Sequence, residues 1–302
     1  MPQNVLITGV AGFTGRYVAD LMRQVGYAVS GLVHQNAAAG TTQEGTGVLY
    51  PCDLSDASGL IRVLEKAKPD YVVHLAGVAF AAHNDIEAFY KTNVVGTRNL
   101  LDALVQTKMP VQSVIVASSA NIYGQTEKAS LDEETPPAPT NDYGISKLAS
   151  EHVARLYSDR LPIIVTRPFN YTGVGQAEQF LIPKIVSHVR RRVPVIELGN
   201  LDVARDFSDV RDIALAYQLL LECPQAIGQT VNLCSGRAYS LRDVLTLSAE
   251  ISGFSIEVRV NPAFVRHGEA KLLVGSRTRC ESLIGSLPLH PLADTLRWML
   301  EA

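Results

Sequence analysis

Short apolar and β-branched runs alternate with helix-like periods along the first half of the chain. The strand-like runs occupy residues 5–8, 28–33, 71–75, 111–118 and 162–167, and the helix-like periods occupy residues 15–25, 55–68, 86–106 and 143–158. A repeated strand-helix-strand order predicts parallel strands with crossover helices on both faces. The sequence therefore predicts an α/β fold with a doubly wound parallel sheet, the Rossmann architecture.

Two segments interrupt this alternation, and it weakens in the second half of the chain. The Gly/Ala/Thr-rich segment 35–47 and the Pro-rich segment 131–140 are predicted to be surface loops. Further along, we expect a loop over 168–176 and an amphipathic helix over 179–192, followed by mixed strands and helices.

These changes predict two domains. Residues 1–167 are expected to form a dinucleotide-binding Rossmann domain, and residues 168–302 mainly a smaller substrate domain. Segments near 207–234 have patterns that could return to pack on the first domain, so the second domain is expected to be discontinuous.

Composition narrows the range of partners. With 302 residues, 47% of them apolar, the chain can bury a sizeable core. Its 27 basic and 30 acidic residues are spread along the sequence and give a net charge of -3, so no nucleic-acid partner is expected. A small-molecule substrate is the default interpretation.

Membrane insertion and metal binding are not expected. No apolar stretch approaches the roughly 18 residues of a membrane span, and the first residues lack the basic segment of a signal peptide. The four cysteines are far apart and lack zinc-site spacing, so we expect reduced thiols at Cys52, Cys223, Cys234 and Cys280. These features predict a cytoplasmic protein without a metal cofactor.

A glycine-rich turn follows the first predicted strand and opens the first predicted helix. Gly9, Gly12 and Gly15 have the spacing GxxGxxG. In this context the glycines permit a tight turn, close approach of a diphosphate and close contact between helix and strand, while the helix N-terminus faces the anion. We therefore expect these glycines, with Phe13 and Thr14 between them, to bind a dinucleotide cofactor.

The end of the second predicted strand bears on which dinucleotide is bound. NAD sites usually carry an acidic residue there for the ribose 2′-hydroxyl, but this strand ends in Leu32-Val33-His34. His34 could instead contact a 2′-phosphate. The sequence favours NADP(H) and leaves NAD(H) open.

Tyr143 and Lys147 lie four residues apart at the start of a predicted helix, which places both side chains on one face. A free tyrosine has a pKa of about 10, so a nearby ammonium would favour proton transfer by the phenol near neutral pH. Ser119 follows a predicted strand and would lie at the carboxyl edge of the sheet, where its hydroxyl could bind a reacting carbonyl oxygen. These three residues predict hydride chemistry at a carbonyl or an alcohol.

Together these motifs resemble the extended short-chain dehydrogenase/reductase family over nearly the whole chain. Besides the glycine turn, the matching segments are Asp53-Leu54, His74-Leu75-Ala76-Gly77, Asn93-Val94-Val95-Gly96-Thr97, Ser118-Ser119-Ala120-Asn121-Ile122-Tyr123-Gly124, Tyr143-Gly144-Ile145-Ser146-Lys147 and Arg167-Pro168-Phe169-Asn170. The resemblance implies that Asp53 and Leu54 lie at the adenine of the cofactor. It also implies that Leu75, Ala76 and Gly77 contact the cofactor around its diphosphate and ribose.

The second half is most similar to the GDP-mannose branch of that family. The similarity rests on two segments, Glu197-Leu198-Gly199-Asn200-Leu201-Asp202-x-x-Arg205-Asp206-Phe207 and Arg266-x-x-Glu269-x-x-Leu272-Leu273-x-Gly275. It implies that Arg205 and Arg266 bind a substrate diphosphate, for which the planar guanidinium is suited. Glu269 would bind the ribose, with Asn170 and Lys184 alongside.

One position departs from the 4,6-dehydratases of this family. In the segment that corresponds to residues 118–124, those enzymes carry a glutamate two residues before the tyrosine that matches Tyr123. This glutamate removes a proton during water elimination. Here the position is Asn121, whose neutral amide cannot transfer that proton. The resemblance therefore implies that Asn121 contacts substrate and that the chain reduces a dehydratase product.

The implied reaction is reduction of the C4 ketone of GDP-4-keto-6-deoxy-mannose to GDP-6-deoxy-mannose, which is GDP-D-rhamnose. By the same resemblance we expect a homodimer, formed through helices over 85–106 and 143–158. Two alternatives stay open. A nucleotide-sugar 4-epimerase would use the same three residues with a retained NAD, and a non-catalytic NADP-sensing protein could share the fold, although such proteins can lack the tyrosine and lysine present here.

Overall fold

The strands of the molecule belong to one large parallel sheet and to smaller sheets in the second half. The computed structural model describes residues 2–34, 47–79, 85–126, 128–201, 203–264 and 270–302. In chain order the strands are β1 (Asn4–Thr8), β2 (Ala28–Val33), β3 (Val48–Pro51), β4 (Tyr71–His74), β5 (Ser113–Ala117), β6 (Ile163–Pro168), β7 (Asn170–Thr172), β8 (Val195–Leu198), β9 (Ala204–Asp209), β10 (Thr230–Leu233), β11 (Ala238–Ser240), β12 (Glu257–Val260) and β13 (Leu272–Leu273).

The large sheet has seven strands within the described residues, in the order β10-β6-β5-β4-β1-β2-β3. Every neighbouring pair in it is parallel. The predicted Rossmann architecture is confirmed. The short strand β3, which includes a proline and follows a segment of low complexity, is not among the strands that the sequence pattern predicts.

Helices cover both faces of this sheet and the outside of the second half. They are α1 (Phe13–Gln24), α2 (Ala57–Ala67), α3 (Ile86–Ala88), α4 (Thr97–Thr107), α5 (Asp142–Arg155), α6 (Leu181–Arg190), α7 (Val210–Leu221), α8 (Leu241–Ser252), α9 (Thr278–Ile284) and α10 (Leu292–Glu301). A π-helix, Phe89–Gly96, joins α3 to α4. The continuous α-helix predicted over 86–106 is therefore wrong in its middle part.

Burial on both faces explains why the central strands read as apolar runs. In β5, Val114 and Val116 pack on one face against Leu100 of α4. The alternate residue Ile115 packs on the other face, in the same core as Tyr217 of α7. The alternation of side chains along the strand thus fills two separate cores.

The sheet changes winding direction at β1, which creates the crevice expected of a ligand site. Thr8, the last residue of β1, pairs with Leu32 on one side and His74 on the other. The loops after β1 and β4 therefore leave adjacent strand ends, and ligands of doubly wound sheets bind at such a point.

The second half contains a sheet in the order β11-β9-β13, with β7 also paired to β9, and a separate pair β12-β8. Ile185, Val244 and Leu296 join α6, α8 and α10 in one core. The loop predicted over 168–176 is wrong in part, because Asn170–Thr172 form β7 alongside β9. Three residues are too few to show alternation, and the partner strand is distant in sequence.

Two elements from the second half lie on the Rossmann part. Ile213 and Leu220 of α7 share a core with Val18 of α1, and β10 extends the large sheet through the pairing of Val231 with Thr166. Both elements lie in the part of the chain, near 207–234, for which such a return is expected. The domain boundary at residue 167 stays a prediction.

Of the two predicted loops, the structure describes the Pro-rich segment 131–140 but not most of the segment 35–47. Residues 35–46 lie outside the described residues, whereas the Pro-rich segment is anchored at one end, where the buried Leu131 bridges Gly275.

Within the described part of the chain, no helix has the length and apolar character needed to cross a bilayer. Nor do three or more His, Cys, Asp or Glu side chains of these residues gather in a group able to hold a metal ion.

Candidate active site

The turn after β1 is so compact that side chains at two of its glycines would collide with backbone. Gly9 has a φ of 71°, and a Cβ added there would lie 2.9 Å from the Cα atom of Ala76. A Cβ at Gly15 would lie 2.2 Å from the carbonyl oxygen of Gly9. Glycine is therefore required at both positions, and the turn brings α1 close to β1 and to the loop after β4.

The start of α1 offers a site for an anion. The residue before the helix is the exposed Gly12, which provides no side-chain cap for the first backbone N–H groups, among them those of Phe13 and Thr14. Such N–H groups and the helix dipole favour a negatively charged group. The uncapped helix and the space left by glycine fit the diphosphate of the expected dinucleotide.

A chain of hydrogen bonds joins the ends of β1 and β4. Thr97 Oγ1 donates to the carbonyl oxygen of Asn93 at 2.6 Å, so it accepts from Nε2 of His74 at 2.9 Å. Nδ1 of His74 then accepts from Thr8 Oγ1 at 2.7 Å, and Thr8 Oγ1 accepts from the Ala76 N–H at 3.1 Å. Burial lowers the pKa of His74 to about 3, so the ring is neutral. This network fixes the loop after β4 beside the glycine turn.

The residues expected at the adenosine end of the cofactor lie next to each other. Nε2 of His34 is 3.4 Å from Oδ2 of Asp53. Hydrogen bonds from the backbone and side chain of Ser55 hold the pKa of Asp53 below its usual range, so Asp53 is anionic at neutral pH. Leu54 is buried beneath them, and its carbonyl oxygen accepts from Asn99 Nδ2 at 2.8 Å.

Ser119 and Asn121 form a small hydrogen-bonded unit at the end of β5. Ser119 caps a 3₁₀-helix, Ala120–Tyr123, and its Oγ atom accepts from both the backbone N–H and Nδ2 of Asn121, each at 3.2 Å. Both acceptor positions of the hydroxyl are thereby used, which leaves its proton free to donate. Asn121, predicted to contact substrate, here orients Ser119.

Tyr143 lies in the first turn of α5 next to Ser119. The helix begins after Asn141, whose side chain caps it by accepting from the Gly144 N–H at 2.8 Å. Burial raises the pKa of Tyr143 to about 12, and a hydrogen bond from Ser119 opposes this rise. The phenol is therefore protonated at neutral pH and contacts a hydroxyl that donates to it.

Lys147 lies one helical turn further along α5, with its ammonium at the end of β5. Nζ donates to the carbonyl oxygen of Ala117 at 2.8 Å, and a Cβ on Gly77 would lie 3.4 Å from it. Burial lowers the pKa of Lys147 to about 8, and the carboxylate of Glu151 partly offsets this effect. Lys147 thus lies between the loop after β4 and the end of β5.

One electrostatic expectation is not met in this arrangement. Lys147 is expected from sequence to lower the pKa of Tyr143, but the influences on that phenol are its burial, the Ser119 hydrogen bond and Tyr171. The reason is geometric, because the Lys147 ammonium is drawn to the carbonyl oxygen of Ala117. The two side chains share a helix face without forming a contact pair.

Asn93 is a site residue that the sequence shows only as part of a family motif. It lies in the π-helix and is almost completely buried. Its Oδ1 atom accepts from the Val78 N–H at 2.9 Å, and its Nδ2 atom donates to the Val78 carbonyl oxygen at 3.2 Å and to Ser146 Oγ at 3.0 Å. Asn93 therefore ties the loop after β4 to α5, the helix of Tyr143 and Lys147.

Tyr171 is a second residue missed by sequence reasoning, because it lies in the strand mistaken for a loop. Its hydroxyl is 2.8 Å from Thr14 Oγ1, and its ring stacks on Phe13 with centroids 6.1 Å apart. Nearby, the hydroxyl of Tyr17 donates to the carbonyl oxygen of Val174 at 2.7 Å. These contacts hold the glycine turn and the first part of α1 against β7 and the residues that follow it.

Besides Asn121, the described substrate candidates belong to three elements of the second half. Asn170 lies in β7, where Nδ2 donates to the carbonyl oxygen of Asp206 at 3.3 Å. Arg205 lies in the paired strand β9, and its Nη1 atom donates to the carbonyl oxygen of Ala204 at 2.9 Å. Asn170 and Arg205 are thus brought to adjacent strands.

Lys184 lies on α6 beside β8. Its Nζ atom donates to the carbonyl oxygen of Glu197 at 2.7 Å and lies 4.6 Å from the ring centre of Phe264. Arg266 and Glu269 lie outside the described residues. The substrate roles of all these residues stay predictions.

The fold and the site together define a class of protein. The glycine turn lies at the switch point of a Rossmann sheet, and Ser119, Tyr143 and Lys147 lie beside the carboxyl ends of its strands. This combination defines an NAD(P)-dependent oxidoreductase of the extended short-chain dehydrogenase/reductase type. Residues 6–299 match the family model described as GDP-mannose 4,6 dehydratase. The chain belongs to that family.

Several relatives carry names of enzymes. The chain is 36% identical over 283 residues to GDP-6-deoxy-D-talose 4-dehydrogenase of Aggregatibacter actinomycetemcomitans, covering 93% of this chain and 91% of the relative. It is 32% identical over 311 residues to GDP-6-deoxy-D-mannose reductase of Pseudomonas aeruginosa, covering 99% and 97%.

Solved structures resemble the whole chain. A proposed epimerase from Burkholderia cenocepacia J2315 is 48% identical with a TM-score of 0.93, covering 99% of this chain and 98% of the other. The structure of RMD from Pseudomonas aeruginosa complexed with NADPH is 29% identical with a TM-score of 0.85, with the same coverage of 99% and 98%. A nicotinamide cofactor is common to this class.

Proposed function

We propose that this chain reduces the C4 ketone of GDP-4-keto-6-deoxy-mannose to GDP-6-deoxy-mannose, using NAD(P)H. The names of the two relatives, both enzymes of GDP-6-deoxy sugars, support the substrate class. The site supports the reaction type, because two hydroxyl groups and an ammonium gather at the carboxyl edge of the sheet.

The orientation of Ser119 is the single observation that carries the proposal. Because Asn121 occupies both acceptor positions of this hydroxyl, Ser119 must act as a donor. A donating serine beside a protonated Tyr143 stabilises the negative charge that develops on a ketone oxygen during hydride addition. The amide of Asn121 has no basic group for removal of a C5 proton, so elimination of water is disfavoured.

The proposed mechanism assigns one task to each side chain. When bound, the reduced nicotinamide supplies the hydride that adds to C4 of the sugar. Tyr143 donates its phenol proton to the new alkoxide, and Ser119 holds the same oxygen during the transfer. The Lys147 ammonium, which donates to the Ala117 carbonyl oxygen at the end of β5, would hold the cofactor ribose.

Substrate binding is proposed to rely on the nucleotide. Arg205 and Arg266 would bind the diphosphate and Glu269 the ribose, with Asn170 and Lys184 alongside. Binding energy from the nucleotide would then hold the sugar with one face toward the cofactor.

We propose NADPH as the preferred cofactor. β2 ends without an acidic residue, and the resembling RMD structure contains NADPH. The anionic Asp53 beside His34 limits this preference, because a carboxylate repels a 2′-phosphate. Asp53→Asn should therefore increase the kcat/KM ratio for NADPH over NADH, and an unchanged or lower ratio would place Asp53 away from the 2′ position.

Product analysis tests the reaction directly. Purified protein is mixed with GDP-4-keto-6-deoxy-mannose and either NADPH or NADH, and the sugar product is identified by mass spectrometry and NMR. The proposal predicts oxidation of the reduced cofactor and formation of GDP-6-deoxy-mannose. Formation of the C4 epimer, GDP-6-deoxy-talose, would retain the reductase assignment but overturn the assigned stereochemistry.

A nucleotide-sugar 4-epimerase is the second candidate, favoured by the likeness to the Burkholderia cenocepacia protein. An epimerase returns the hydride to the same sugar, so it consumes no added cofactor. Interconversion of two nucleotide sugars with retained NAD, and without oxidation of added NAD(P)H, would replace the reductase proposal.

We also propose a homodimer, located in the cytoplasm as the sequence suggests. Four large apolar side chains are exposed in this region: Ile86 in α3, Val95 in the π-helix, Ile145 in α5 and Leu156 directly after α5. An exposed apolar face of this kind is typical of a surface that meets a partner. Light scattering should give twice the monomer mass, and Ile145→Asp should shift it toward the monomer; a monomeric wild type would contradict this proposal.

A further inference from the structure

Arg167 in β6 is a buried cation held by an unusually complete set of acceptors. Its Nε and Nη2 atoms donate to the two carboxylate oxygens of Glu151 at 2.9 and 2.8 Å. The side chains of Arg167 and Glu151 are 3% and 0% exposed. Burial alone would lower the pKa of Arg167, but the hydrogen bonds and the charge of Glu151 raise it above its ordinary value, so the guanidinium stays charged.

The third nitrogen of the guanidinium, Nη1, contacts the 3₁₀-helix Ala120–Tyr123 instead of α5. Nη1 donates to the hydroxyl of Tyr123 at 3.0 Å and to the carbonyl oxygen of Glu133 at 3.2 Å. The Tyr123 hydroxyl in turn donates a 2.7 Å hydrogen bond to Oδ1 of Asn232, which lies in β10. Tyr123 is completely buried.

The two elements joined by Arg167 carry the proposed catalytic residues. Glu151 lies on α5, four residues after Lys147 and eight after Tyr143, on the same helix face. Tyr123 ends the 3₁₀-helix whose first residue is capped by Ser119. One guanidinium therefore connects the helix of Tyr143 and Lys147 to the turn of Ser119 and Asn121.

Stability is a poor explanation for such a pair. Two charges removed from water are costly, and well-packed apolar residues often replace a buried ion pair without loss of stability. The bidentate geometry instead fixes the relative position of the two groups. A displacement of about 1 Å between reacting groups can lower a rate by about 10²-fold.

We propose that Arg167, through Glu151 and Tyr123, is a positioning residue that sets the distance between the Tyr143 phenol and the Ser119 hydroxyl. This inference rests on the proposed hydride transfer but assigns roles to residues that touch neither the sugar nor the cofactor. It implies that changes at Arg167 and Tyr123 lower kcat while leaving ligand binding intact.

The mildest test removes one hydroxyl. Tyr123→Phe deletes one of the two acceptors of Arg167 Nη1, together with the donor to Asn232, and preserves the ring. Tyr157→Phe is the matched control, because Tyr157 is also buried and donates a hydrogen bond, to Asp102 at 2.6 Å, away from Ser119 and Tyr143. We expect Tyr123→Phe to lower kcat about tenfold with KM and cofactor Kd within about twofold of wild type, whereas Tyr157→Phe should leave kcat unchanged.

A second comparison separates positioning from folding. Arg167→Lys keeps the positive charge but removes the planar guanidinium that donates two parallel hydrogen bonds to Glu151. This variant should lower kcat about 10²-fold at unchanged cofactor Kd. The double variant Glu151→Leu with Arg167→Met replaces the ion pair by apolar groups, so it should regain the thermal stability of the wild type but not its kcat. Full kcat in the stable double variant, or equal kcat losses in Tyr123→Phe and Tyr157→Phe, would overturn the inference.

The outcome is distinguishable from failure of the proposed function. If the reductase assignment is wrong, wild-type protein itself fails to oxidise NAD(P)H with the ketone. The same variants are then compared in whichever reaction the wild type performs, and in every case the split between kcat and cofactor Kd decides whether Arg167 positions the site.

Discussion

The Lys147 ammonium donates a 2.8 Å hydrogen bond to the carbonyl oxygen of Ala117. Because Ala117 ends β5 and Lys147 is 7% exposed, the charge is held at the sheet edge rather than in water. Burial is the largest influence on the pKa of Lys147 and lowers it to about 8, against the opposing effect of Glu151. The charge that the proposed mechanism requires on Lys147 is therefore expected to be lost as the pH rises through about 8.

Ketone reduction should decline as the pH rises through about 8, because the Lys147 ammonium loses its proton there. Tyr143 has a pKa of about 12 and stays protonated in this range. The pH profile of kcat/KM measures the decline. Lys147→Arg keeps its charge at every accessible pH, so the decline of kcat/KM at high pH should disappear in this variant, which should also react more slowly. If the decline persists unchanged in the arginine variant, Lys147 is excluded as its source.

Replacement of Tyr143 by Phe should lower kcat by about 10²- to 10⁴-fold, the range for loss of a general acid. Cofactor affinity should change little, because the glycine turn rather than the phenol is expected to bind the diphosphate. Steady-state kinetics and a fluorescence titration with NADPH check both statements. Unchanged turnover would remove Tyr143 from the mechanism.

The glycine turn provides a matched pair of alanine variants. A Cβ at Gly15 would lie 2.2 Å from the Gly9 carbonyl oxygen, whereas a Cβ at Gly12 would lie 3.1 Å from it. Gly15→Ala should therefore lower thermal stability even without ligand. Gly12→Ala should cost little stability but weaken NADPH binding at least tenfold, since Gly12 faces the expected diphosphate. Equal effects in thermal denaturation would contradict this distinction.

His74 should make the protein sensitive to acid. Its pKa is about 3 in the folded chain against 6.5 for the free side chain, so unfolding is accompanied by proton uptake between these values. The stability held by the neutral ring is complete above pH 6.5 and is lost as the pH falls, by up to about 1.4 kcal/mol per unit.

Urea unfolding at a series of pH values measures this contribution. His74→Asn can still accept from one threonine and donate to the other, but it does not titrate, so the acid-dependent slope should become shallower. An identical slope in the two proteins would show that the acid sensitivity arises elsewhere.

The large sheet follows from the sequence because its strands are buried on both faces. Runs such as Val114 to Val116 are apolar at every position, and the turns between them end in glycine or polar residues. The short strand β7 and the π-helix could not be predicted in this way. β7 is defined by its pairing with β9, which is distant in sequence, and the π-helix lies inside a segment whose sequence pattern is simply helical.

The site, like the fold, has some features that the sequence pattern predicts and others that depend on contacts between distant residues. Spacing alone places Tyr143 and Lys147 on one helix face, and the strand-end position places Ser119 near them. The contacts that orient these groups come from residues far apart in sequence, such as Arg167 and Glu151 or Tyr171 and Thr14. One local signal was present, since Glu151 extends the four-residue spacing of Tyr143 and Lys147 and is a charged residue on a buried face.

Hydride transfer to C4 of the sugar is the central claim, and an isotope experiment tests it most directly. NADPH carrying transferable deuterium on the nicotinamide ring is incubated with the protein and GDP-4-keto-6-deoxy-mannose, and the product is examined by NMR. The proposed mechanism predicts stoichiometric oxidation of NADPH and deuterium at C4 of a GDP-6-deoxyhexose. Absence of oxidation with both NADPH and NADH labelled in this way, or a product without deuterium at C4, would contradict it.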